Sequence, residues 1–129
     1  MKRGDILEYF EDYNTGDYEK TMTKYYTPDA IFESADYKLV GRDEIIKFMI
    51  ESHKGSTETM KAKHLLVGSD VAAAEIEAVI QVFEDKPSFH IRPLKKGDSI
   101  TLRMAAIYDL RDNKISHVRL YRFTKWSTN

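Results

Sequence analysis

Val71-Ala72-Ala73-Ala74-Glu75-Ile76-Glu77-Ala78-Val79-Ile80-Gln81-Val82 alternates at period two for twelve residues, the rhythm of a long β-strand. Ala72, Ala74, Ile76, Ala78, Ile80 and Val82 fall on one face, and Ala73, Glu75, Glu77, Val79 and Gln81 on the other. Period-two stretches over 60–68, 70–84, 99–110 and 114–126 are separated by Gly68-Ser69-Asp70, Pro87, Lys96-Gly97-Asp98 and Asp112-Asn113, which are turn formers. Four antiparallel strands in meander order are expected.

Upstream the period changes to that of helices. Asp5 with Glu8 reads as a cap for a helix carrying Ile6, Tyr9, Phe10 and Tyr13 on one face, and Asn14-Thr15-Gly16 stops it. Asp17 caps a second helix through Tyr18, Met22, Tyr25 and Tyr26, which ends at Thr27-Pro28. Ala30–Ser34 alternates as a short strand. Gly41 and Asp43 open a third helix with Ile45, Ile46, Met49, Ile50 and His53, broken by Gly55. Helices followed by strands, without βαβ alternation, give an α+β fold class in one domain spanning 1–129.

Composition narrows the function classes. The chain has 129 residues, 42% hydrophobic and 32% charged, with a formal charge of -1. That length supports a self-sufficient core. No basic stripe exists to follow phosphates, so nucleic acid is not an expected partner. No apolar run approaches the roughly twenty residues of a membrane span, and Met1–Asp5 open a helix instead of a signal sequence. A cytoplasmic address is the expectation. Cysteine is absent, which removes disulfides and thiolate chemistry. Without an HxH or HxxxH spacing, no metal and no cofactor is expected. The eight tyrosines, five of them within the first 26 residues, exceed what helix packing needs.

YFEDYNTGDYEKTMTKYYTPDAIF (9–32), KLVGRDEIIKF (38–48), SDVAAAEIEA (69–78) and AAIYDLRDNKISHVRLYRF (105–123) resemble, in order and spacing, the nuclear transport factor 2-like superfamily and its SnoaL-like branch. The resemblance implies a cone-shaped α+β barrel, with three N-terminal helices packed on a strongly curved antiparallel sheet around a deep apolar pocket. On pattern alone either face of the 71–82 strand fits the inside. The resemblance implies that Ala73, Glu75, Glu77 and Val79 line the cavity. The convex face would then hold Ala72, Ala74, Ile76, Ala78 and Ile80, joined by Ala105, Ile107 and Tyr121, and would bury itself in a homodimer.

The resemblance also limits the chemistry. Tyr9 falls where ketosteroid isomerase places its oxyanion-hole tyrosine, but that enzyme's base and second donor align near Ser34 and Ala106, which cannot do their work. The last strand lacks the carboxylate of SnoaL-like cyclases. Glu75 and Glu77, about 7 Å apart along one strand, are the expected proton-transfer pair, with Tyr9 and His64 as further catalytic candidates. Their alternative is a structural network with Arg122, Arg103 or Lys63. The expected ligand contacts come from the helices (Tyr13, Phe48, Met49, His53), from the first strand (Phe32, Ser34), and from a greasy connection over 87–94 that reads either as a flap, with Phe89 and Ile91 touching ligand, or as dimer packing or a structural plug. The remaining ones are Met104, Ala106 and Tyr108, then Val118, Leu120 and Arg122. Trp126 reads as a hydrophobic clamp.

The expected function is a small-molecule pocket protein, if catalytic a cofactor-independent lyase or isomerase acting on an apolar or aromatic metabolite. The alternative is a non-catalytic ligand-binding or protein-interaction module. A cavity of several hundred cubic ångströms with polar groups near Tyr9 and Glu75 favours the first. One filled by Phe32, Phe48, Met104 and Tyr108 favours the second.

Overall fold

A computed structural model describes residues 1–123; Trp126 and the end of the expected last strand lie outside the described residues. Three helices, α1 (Arg3–Tyr13), α2 (Tyr18–Tyr25) and α3 (Arg42–Ser52), pack on six strands: β1 (Tyr26–Glu33), β2 (Lys38–Val40), β3 (Ser56–Val67), β4 (Val71–Val82), β5 (Ser99–Arg111) and β6 (Lys114–Arg122). The strand order is β2-β1-β6-β5-β4-β3. β3 to β6 form the expected antiparallel meander, and β1 joins β6 in parallel. The sheet is curved and open at its edges.

Local chemistry explains the boundaries. Asp5 lies inside the first turn of α1 instead of before it, where its carboxylate accepts the Lys2 N–H at 2.8 Å. Asp17 caps α2 by accepting the Lys20 N–H. Pro28 falls within β1, in the irregular stretch between Tyr26 and Ile31, where its missing N–H breaks no ladder bond. The β5–β6 hairpin turns through Asp112 and Asn113, both at positive φ, as a two-residue connection requires. β3 carries a bulge between Ala62 and His64, after which its inward positions shift from even to odd numbers, from Ser56, Glu58 and Met60 to Leu65.

The long strand faces the other way from the expectation. Ala72, Ala74, Ile76, Ala78, Ile80 and Val82 are buried, while Glu75 and Glu77 belong to the convex surface. Side-chain size and charge explain the orientation. Tyr9 and Phe10 of α1 reach over the sheet to Tyr108, with ring centroids 6.2 and 6.5 Å away, and the neighbouring inward alanines leave room for those rings. Glu77 meanwhile keeps water and lies between Lys61 and Arg103 across the adjoining strands. Burying two carboxylates without partners costs far more than leaving methyl groups exposed.

Candidate functional site

α1 and β3 are tied together side chain to main chain. Asn14, just past α1, donates through Nδ2 to the Met60 carbonyl at 2.9 Å and accepts the Met60 N–H through Oδ1 at 2.7 Å. This clasp sets Tyr13 over the inward residues of β3. On the other side α3 ends at His53, and Gly55, with φ at +79°, reverses the chain into β3 two residues before Thr57. Tyr13, His53 and Glu58 are thereby brought to one point.

There Tyr13 donates its hydroxyl to Glu58 Oε1 at 2.6 Å, and His53 Nε2 lies 2.8 Å from the same oxygen. His53 Nδ1 is 2.7 Å from the Met49 carbonyl, which can only accept, so Nδ1 carries a proton. Nε2 and Glu58 then share one further proton, as an ion pair or as a neutral pair. Burial works to raise the Glu58 carboxyl, but the His53 bond and charge together with the Tyr13 hydroxyl outweigh it and hold the group below its ordinary value. Glu58 is thus the ionised member of the cluster. Glu58 Oε2 has no protein hydrogen bond among the described residues, which leaves one acceptor for a guest.

The cluster lines a largely apolar cavity of about 70 Å³. Tyr9, Phe32, Phe48, Met49, Met104, Tyr108, Val118 and Leu120 line it, and so do Tyr13, Ser34, His53, Phe89 and Arg122. Ala106 is buried on the same side of the sheet without reaching the cavity wall. Tyr9 has its hydroxyl 2.7 Å from that of Tyr26. Burial pushes both phenols up, so they remain protonated. At the opposite rim Arg122 pairs with Asp36 at 2.7 Å.

Three expected catalytic residues are elsewhere. His64 and Glu75 are cross-strand neighbours 3.8 Å apart, but on the convex face, where their side chains are 81% and 43% exposed. Glu77 shares that face. The proton-transfer assignment to Glu75, Glu77 and His64 is therefore corrected: water reaches them, and no cavity encloses them. The convex surface attributed to Ala72, Ala74, Ile76, Ala78 and Ile80 is likewise corrected, because these residues form the interior. Ala105, Ile107 and Tyr121 do lie outside.

Glu58, Tyr37, Asp36 and His90 are cavity residues that the sequence alone does not single out. For Glu58 the signal existed: it shares parity with Met60 and Ser56, and starting β3 at residue 60 hid it. The 87–94 connection does cover the cavity, with Phe89, His90 and Ile91 in its wall. Its base closes where Lys86 and Leu94 exchange backbone hydrogen bonds of 2.8 and 2.9 Å. Lys86 Nζ then fastens it to α3, donating to the Ser52 carbonyl at 2.5 Å and to Ser56 Oγ at 2.9 Å.

Comparison with known proteins agrees with this architecture. A candidate polyketide cyclase from Xanthomonas campestris pv. campestris superposes with a TM-score of 0.79 at 19% identity, over 92% of this chain and 87% of that one. Another from Silicibacter sp. TM1040 gives 0.78 at 21%, over 92% and 85%. A limonene-epoxide-hydrolase-like enzyme from M. tuberculosis gives 0.71 at 9%, over 92% and 79%. At these identities the likeness is one of fold. No curated protein matches the sequence. The sequence pattern of the SnoaL-like domain matches residues 6–118, and the chain belongs to that family.

Proposed function

We propose that this protein binds a small, largely apolar molecule in its cavity and moves a proton on it through Glu58. The observation that carries the reading is the convergence of Tyr13, His53 and Glu58 on one wall of an otherwise apolar hollow. Glu58 is the base, taking the ligand's proton at its free Oε2, while His53 Nε2 and the Tyr13 hydroxyl hold the carboxylate in place through Oε1. This is cofactor-independent chemistry of the lyase or isomerase type.

The cavity is far smaller than the several hundred cubic ångströms expected of a ligand pocket, because Phe32, Phe48, Met104 and Tyr108 project into it, and this restricts the guest. About 70 Å³ is less than half of the roughly 150 Å³ known to hold a benzene molecule in another protein. A single-ring ligand therefore requires the wall to give, and the 87–94 flap, tied down at its base by Lys86 and Leu94, is a part of that wall outside the helices and the sheet. The convex face, with Leu66 and Tyr121 exposed beside Ala105 and Ile107, supports a homodimer through this surface.

Methionine methyl groups provide the test. Met49, Met60 and Met104 line the cavity, and Met1 and Met22 do not. With ¹³C-methyl methionine, toluene, phenol and indole are expected to shift the first three signals and spare the others. Shifts confined to Met1 or Met22, or none with any probe, would reject the pocket and leave the fold as a scaffold for protein contacts.

A further inference from the structure

The rim opposite Glu58 specifies what the guest carries. Arg122 projects from the inward face of β6 and Glu58 from that of β3, three strands apart across the sheet and, because Arg122 is in register with Ala62, offset along it as well. Among the described residues, the one protein hydrogen bond of the Arg122 guanidinium is that from Nη1 to Asp36 Oδ2 at 2.7 Å. A guanidinium has five N–H groups in a planar fork suited to a whole carboxylate, so this fork is engaged at one tine only. Both side chains remain in reach of water, at 27% and 23% exposure, and both line the cavity.

Asp36 is a replaceable partner. It belongs to the four-residue turn between β1 and β2, where its own N–H is held by Ser34 Oγ at 3.2 Å and the Ser34 N–H by the Tyr37 carbonyl at 2.9 Å. Only its side chain would have to swing outward to release Arg122, and the turn would stay closed. The adjoining wall is aromatic: Tyr37 packs 6.0 Å from Phe32, 4.3 Å from Phe48 and 5.5 Å from His90 between ring centroids.

Resting on the small-molecule reading above, we infer that the ligand is a small aromatic carboxylate, its ring against Phe32, Tyr37 and Phe48 and its carboxylate on Arg122 in place of Asp36. Asp36 thus keeps the anion seat filled in the empty protein. It gives way only to a ligand able to offer the guanidinium at least as good a partner. Neutral aromatics enter the same hollow but leave the ion pair intact.

The test is calorimetric titration of the full chain at neutral pH with benzoate, benzamide and toluene. Benzoate is expected to bind about tenfold more tightly than benzamide, the return on charge-assisted hydrogen bonds to the guanidinium. Asp36→Ala is expected to tighten benzoate several-fold and leave toluene unchanged. Arg122→Gln is expected to abolish the preference for benzoate while toluene still binds, which also certifies that the variant is folded. Equal binding of benzoate and benzamide, or toluene binding with no benzoate binding, overturns the carboxylate assignment and leaves the pocket standing. Binding of none of the three overturns both.

Discussion

Glu58 Oε1 stands 2.8 Å from Nε2 of His53, although the two residues belong to different elements joined by nothing longer than Lys54–Thr57. The shortness of that link means that the pair closes a tight local loop as well as forming the polar wall of the cavity. The side chains are only 11% and 15% exposed, so the pair is shielded from salt and water more than a surface pair would be.

Glu58→Gln is expected to lower stability by about 2 kcal/mol at about pH 7, the worth of hydrogen bonds to a charged group. The Glu58 carboxyl is held below its ordinary 4.5. Its contribution is therefore fully present above that value and is lost as pH falls through the lower, folded value. Urea unfolding of both proteins at about pH 7 and about pH 3 checks this, and a penalty that persists unchanged in acid contradicts it. Tyr13→Phe removes one donor to the same oxygen and is expected to move the Glu58 carboxyl up.

The orientation of β4 yields a sharp contrast. Ile76→Ala, at a position 1% exposed, is expected to cost about 3 kcal/mol by removing core volume. Glu75→Ala and Glu77→Ala are expected to change stability by no more than about 0.5 kcal/mol. Thermal unfolding of the three variants decides the matter; a large loss for either glutamate with a small one for Ile76 would reverse the faces.

Lys86→Met removes the two bonds that hold the flap to the end of α3. Faster hydrogen exchange is expected for amides of residues 87–93, with global stability lowered by about 1 kcal/mol. Unaltered exchange in that segment would mean that the buried Leu94 and the Lys86–Leu94 backbone pair alone keep it down.

Ala105→Glu places a carboxylate beside Glu75 on the convex face. If that face joins two copies, light scattering is expected to show a dimer for the parent chain and a monomer for the variant. A monomeric parent, or a dimeric variant, assigns the face to water.

Local period and punctuation make most elements legible, although the cap at Asp5 lies inside α1 and the second helix stops at Tyr25, with Tyr26, Thr27 and Pro28 in β1. The helix stops at Asn14–Gly16 and Gly55, the four-strand meander and the inward set Met104, Tyr108, Val118, Leu120 and Arg122 were all legible. β2 was not, because three residues are too few to show alternation. For β4 charge, and not family resemblance, decides the faces: an alanine-rich row looks like a thin interface, yet its smallness accommodates aromatic rings that come from α1, far away in sequence. Glu58 was missed for a related reason. The start of β3 meets the end of α1 through contacts about 45 residues apart in sequence, the clasp between Asn14 and Met60 and the Tyr13–Glu58 bond, which no local period reveals.

The irregularity between Ala62 and His64 has its own consequence. It lets one strand run out of phase with itself, so that Glu58 and Leu65, of opposite parity, both turn inward. A chain shortened by Lys63 would fall back into simple alternation and would have to surrender one half: either the acid leaves the hollow or the leucine leaves the core. An odd-length change at this spot is therefore a disguised inversion of half a strand, whereas the same deletion in the Ser69–Asp70 turn merely tightens a bend.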